Sequence, residues 1–164
     1  MNGPKINIPQ QPVDQLIEVL GLVSLILLLV LPLFYLDRLP DEIPVKFDLS
    51  GRAYAFRSKA HLWIMPAAGL LIFSGLSFLV RFPHRFNYPV RVTDENASRL
   101  YRIGTRTISM LKTLLVTMFL YINLNTIYSA LGEEPEMGRL VIPGFIIMIL
   151  LLTGAMIYKM IRNK

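Results

Sequence analysis

The chain of 164 residues contains no cysteine and only two histidines. Thiolate chemistry, disulfide stapling and cysteine-ligated metals are therefore excluded. The histidines, His61 and His84, flank one apolar block and so are expected at its opposite ends, too far apart to share a metal. There is no H-E-x-x-H pair and no G-x-x-x-x-G-K-[ST] phosphate loop. Charge is also scarce: Asp, Glu, Lys and Arg make up 17% of the residues, against about 25% in an average soluble domain. No carboxylate falls near the middle of an apolar run, which argues against a proton-coupled transporter. An enzyme is not expected, nor any metal or cofactor. What is present is apolar: 54% of the residues are hydrophobic, and the mean hydropathy is +0.51.

That content sits in four long blocks. The first covers residues 16–36, and its 21 residues span about 31 Å at helical rise, the thickness of a hydrocarbon core. Its only charge is Glu18, near the start, and Pro32 lies near the far end. A signal peptide is disfavoured because only Lys5 precedes a block that is too long for one. The second block, residues 62–80, opens with Trp63 and is rich in Gly, Ala and Ser, which lets helices approach closely in lipid. The third is residues 108–131 and the fourth residues 140–157, with Pro143 in its first turn. The expected fold is an all-α membrane protein, a single domain forming a four-transmembrane-helix bundle.

Orientation follows from basic residues. Lys5, Arg81, Arg85, Arg91, Arg99, Arg102, Arg106, Lys112, Lys159, Arg162 and Lys164 fall on one side. Arg38, Lys46, Arg52, Arg57, Lys59 and Arg139 fall on the other. The positive-inside rule places both termini and the segment between the second and third blocks in the cytoplasm of a bacterial plasma membrane. Four acids on the inner side leave a net +7 there, and seven on the outer side leave −1. The formal charge of +6 is thus read as topology, and no nucleic-acid partner is expected.

Two loops are more patterned than connectors need to be. In residues 39–59, Ile43, Val45, Phe47 and Leu49 alternate with other residues at the period of a half-buried strand. Ser50-Gly51 signals a turn, so an extracytoplasmic β-hairpin is expected, with Pro44 confining its strand to an edge. It either rests its apolar face on the helix ends or offers a recognition surface for an extended peptide. The candidate recognition residues are Pro40, Asp41, Glu42, Pro44, Lys46, Phe47, Gly51 and Lys59. In the cytoplasmic segment, residues 87–107, Thr93 or Asp94 is the expected helix cap. Arg99, Arg102 and Arg106 form one basic stripe running into the third block. The stripe is expected to lie near anionic headgroups, or else to dock an acidic cytoplasmic partner. Arg91, Asn96, Arg99, Tyr101, Arg102 and Arg106 are the candidates for that contact.

Within the third block Lys112 is expected to extend to the headgroups. Asn123 and Asn125 point about 200° apart around a helix and do not form one site. Asn125 shares a stripe with Tyr121, Tyr128 and Ser129, suited to hydrogen bonding with a neighbouring helix or to lining a ligand path.

The Leu39-Pro40-Asp41-Glu42-Ile43-Pro44 run, followed by Phe47, Gly51 and Ser58-Lys59, resembles domain-of-unknown-function family 1648. That module forms the N-terminal part of SdpI-type bacterial membrane immunity proteins. The Tyr88-Pro89-Val90, Thr93, Glu95-Asn96 and Tyr101 pattern is similar to the segment that follows it in stand-alone members. Family members usually carry His where this chain has Lys46, and often Trp near Phe56, so any role of that His is lost or altered here. The C-terminal module of the full immunity proteins is not expected. The resemblance implies an immunity or sensing role toward an extracellular peptide. A structural or accessory subunit of a larger membrane assembly is the alternative reading, and an oligomeric small transporter or channel the next.

Overall fold

The computed structural model describes residues 4–6, 8–47, 53–133 and 138–162. Four helices and one hairpin make up the described chain: α1 (Pro12–Tyr35), β1 (Glu42–Phe47), β2 (Ala53–Ser58), α2 (Ile64–Leu79), α3 (Ala97–Ala130) and α4 (Gly138–Arg162). Four helical stretches are long and apolar enough to cross a membrane, the second counted over Lys59–Leu79 and so including the turn before α2; as the four blocks imply, together they suggest a multi-pass membrane protein.

α1 starts where Pro12 supplies the fixed φ suited to a first helical turn. The Asp14 carboxylate accepts a hydrogen bond from the Gln11 backbone N–H (2.9 Å), closing that turn. At its far end the chain reverses through Leu39, which is 5% exposed. The hairpin follows as expected, β1 pairing antiparallel with β2 from Glu42 opposite Ser58 to Phe47 opposite Ala53. The register slips on both sides of Lys46, just beyond Pro44, which has no N–H for the ladder. Strict alternation is therefore lost: Ile43 and Pro44 are both buried. The Ser50-Gly51 turn and Leu49 lie outside the described residues.

A 3-10 turn over Lys59–Trp63 leads into α2. After α2 a second short 3-10 turn, Pro83–Arg85, and an irregular stretch reach α3. The helix starts at Ala97, behind Asn96, and not at the expected cap Thr93 or Asp94. The Asn96 side chain explains the later start. It accepts from the Thr93 N–H (2.8 Å) and donates to the Arg91 carbonyl (3.1 Å), holding residues 91–96 in a loop.

α3 is the central element and packs against α1, α2, α4 and β1. Its pairing with α1 is parallel and keeps a steady offset: Arg106 meets Asp14, Lys112 meets Glu18, and Thr117 meets Ser24 (3.0 Å). Tyr128 closes the series against Tyr35, ring edge to ring face with centroids 6.3 Å apart. α2 and α4 run antiparallel to α3. The core is built in three clusters along it. Leu39, Ile43, Leu62 and Ile127 fill the hairpin end, Leu25, Leu28 and Val116 the middle, and Leu100, Ile103 and Met160 the end bearing the termini. Gly69 permits the tight middle layer, since a Cβ there would lie 2.5 Å from the buried Leu28 side chain. α4 reaches the core through Met160 and packs on α3. The arrangement is a three-helix core with a fourth helix laid against α3, a more open form than the expected bundle of four.

Candidate functional site

The hairpin end carries a pocket of about 300 Å³ between the two strands, α2 and α3. Its floor is apolar, from Ile43, Leu62, Met65 and Ile122, and its rim carries Lys46, Arg57 and His61. Lys46 comes from β1, Arg57 from β2 and His61 from the 3-10 turn, so the slipped hairpin register and the turn into α2 jointly place the three. Among the described residues no acidic side chain lines the pocket. The neighbouring Asp41 is engaged with Lys59 (3.1 Å), whose backbone N–H also bonds to the Asp41 carbonyl (2.9 Å). The ion pair is exposed and weak, but the backbone bond closes the base of the hairpin.

The deep wall is held by Asn123, whose Nδ2 donates to the Leu62 carbonyl at 2.8 Å. Chemistry requires such a donor. In a continuous helix the Leu62 carbonyl would accept from residue 66, which is Pro66 and has no N–H. Asn123 is 3% exposed and supplies the missing bond from another helix, the kind of rescue that proline in an apolar helix demands. Thr126, one turn further along α3, also faces the pocket. A cavity with an apolar floor and a cationic rim suits a ligand that is itself apolar with one anionic group.

Of the recognition residues expected from sequence, Lys46 is the one that lines this pocket among the described residues. Pro40, Asp41 and Glu42 are exposed, and Pro44, within β1, is buried. Lys59 holds Asp41. The Phe47 backbone pairs with Ala53, while its side chain and Gly51 lie outside the described residues. Arg57, His61, Asn123 and Thr126 were missed. The proline four residues after Leu62 was the available signal for Asn123, since it predicts an orphaned carbonyl.

At the opposite end the expected basic stripe is divided among several partners. Arg106 turns inward: its Nε donates to Asp14 (2.6 Å) and a terminal nitrogen donates to Gln11 (2.7 Å). Tyr101 is fully buried and stacks on Tyr88 at 5.6 Å. The Tyr88 hydroxyl donates to the Pro83 carbonyl, and burial pushes its pKa well above the usual phenol value. Arg91 and Arg99 are exposed, Arg102 is half-buried, and Asn96 is committed to the loop. Arg106 thus turns inward to α1 while Arg102 is half-buried and Arg99 exposed, so the three do not share one exposed face.

Lys112 departs furthest from expectation. It is fully buried and does not extend outward. Its ammonium donates to both Glu18 oxygens (2.8 and 2.6 Å) and to Ser77 (2.8 Å), and lies 4.3 Å from the centre of the Phe73 ring. All three donors are used, one reason the charge can stay inside. In the polar stripe of α3, Tyr128 reaches α1 as described, while Tyr121, Asn125 and Ser129 are half-buried. The deeply buried amide is Asn123, the one set apart from that stripe.

Four apolar helices with a hairpin over one end and a pocket beneath it thus suggest a multi-pass membrane protein. Residues 23–70 match the family model described as Domain of unknown function (DUF1648), which bears out the resemblance over that segment. The match takes in most of α1, the hairpin and the start of α2, hence the strand and turn residues of the pocket. The Tyr88–Tyr101 part of the resemblance lies beyond it. No curated protein and no solved structure matches the chain.

Proposed function

We propose that the chain is a bacterial plasma-membrane protein, with both termini cytoplasmic, that recognises an extracellular peptide through the pocket beneath its hairpin and acts in immunity or sensing. The observation that carries this reading is the rim formed by the Lys46 and Arg57 cations, with His61 beside them, over an apolar floor. A peptide offers complementary chemistry: a carboxylate for the rim and an apolar side chain for the floor. The β1 strand borders the pocket and has an unpaired edge, which allows added main-chain pairing. The family match falls on the strands and turn that build the pocket, and SdpI-type immunity proteins carry that module.

The test is survival of a gene deletion strain exposed to culture supernatants and candidate peptides. The deletion should become sensitive to a peptide, wild type should restore resistance, and Arg57→Glu should fail to restore it while still reaching the membrane. Unchanged survival across a broad panel would overturn the immunity reading.

A further inference from the structure

The termini end carries a second cleft, of about 240 Å³, between the start of α1, the end of α2 and the first turns of α3. A liquid water occupies about 30 Å³, so the cleft has room for a polar group of many atoms. Two carboxylates and three guanidinium groups line it: Asp14, Glu18, Arg81, Arg102 and Arg106. Both carboxylates are committed elsewhere, Asp14 to Arg106 and Glu18 to Lys112. Among the described residues of the lining, Arg81 and Arg102 are left without a matching acid. The Arg102 Nε is buried and has no hydrogen-bond partner among the described residues. An unsatisfied buried donor on a cation costs free energy that a bound anion would recover.

We propose that this cleft binds a phosphate-bearing anion, the headgroup of an anionic phospholipid, held by Arg102 and Arg81. Guanidinium forks match phosphate oxygens in charge and geometry. The lipid source follows from the surroundings. Val80 lines the cleft, and next to it Phe78 and Leu79 of α2 expose their side chains, as do Leu16 and Val19 of α1. An acyl chain leaving the cleft would run along those apolar surfaces. The cleft lies where helices change from apolar to charged, the depth of a headgroup layer if the chain spans a membrane as proposed above. The inference rests on that membrane reading but not on the peptide role.

The test uses the whole chain reconstituted into nanodiscs of equal parts phosphatidylcholine and phosphatidylglycerol, with retained lipid identified by native mass spectrometry. Wild type should keep phosphatidylglycerol in clear preference. Arg102→Gln should cut that preference roughly tenfold, the scale of one charged hydrogen bond, and Arg91→Gln, an exposed arginine outside the cleft, should not change it. Melting in phosphatidylcholine alone checks that each variant folds, and Arg81→Gln, on the exposed rim, tests the site if Arg102→Gln does not. Inorganic phosphate that removes the preference and stabilises the lipid-stripped chain would support the anion site and make free phosphate its occupant. Both lipids retained in the disc's own ratio, or a preference untouched in folded Arg102→Gln and Arg81→Gln, would overturn the proposal. A chain that stays in the aqueous phase and cannot be reconstituted would instead overturn the membrane reading.

Discussion

Lys112 and Glu18 form an unequal pair. The lysine is fully enclosed, whereas the Glu18 side chain is 36% exposed and borders the cleft. Removing the partner of an enclosed charge costs about 3–5 kcal/mol, while a carboxylate that keeps contact with water tolerates loss of its partner better. Glu18→Gln should therefore destabilise by about 3 kcal/mol, and Lys112→Met by distinctly less. The double variant Glu18→Leu with Lys112→Met should return close to wild type, since an apolar replacement of a buried pair is often neutral. Unfolding in detergent micelles measures all three. Equal losses in the two single variants would show that the glutamate, too, is effectively enclosed.

At the scale of elements, α2 depends on α3 for its first turn. Asn123→Leu should cost about 1–3 kcal/mol, the penalty for leaving the Leu62 carbonyl unsatisfied. Pro66→Ala restores a local N–H, so much of the loss should disappear in the double variant; a loss of the same size with and without Pro66 would show that the bond does not matter. The pair also marks what was legible in the sequence. The helices could be read because a run of apolar residues is a local signal, and the hairpin because Ile43, Val45 and Pro44 stand close together. The late start of α3 was hidden by Asn96, a residue that takes both caps of the loop before it. The inward turn of Lys112 was hidden because its partner lies 94 residues away, and no local pattern registers a contact of that separation. For the same reason the pocket yielded Lys46 but not Asn123 or Thr126, which join it only through the packing of α3.

For the whole molecule the central expectation is sidedness. The chain has no cysteine, so a single introduced thiol reports its own location. Tyr54 of β2 is 64% exposed, and Tyr54→Cys should react with an impermeant maleimide in intact cells. Arg91→Cys, in the loop before α3, should react only after lysis. The reverse pattern would invert the topology and move the hairpin pocket into the cytoplasm.

α3 has 34 residues and is therefore about 51 Å long, roughly 20 Å more than a hydrocarbon core requires. No proline interrupts it. Asn123, in the wall of the hairpin pocket, and Arg106, in the lining of the opposite cleft, ride on this one rod about 25 Å apart. A plunger gripped at both ends cannot be pushed at one end alone: a ligand that draws Asn123 along the helix axis must also shift Arg106 against Asp14.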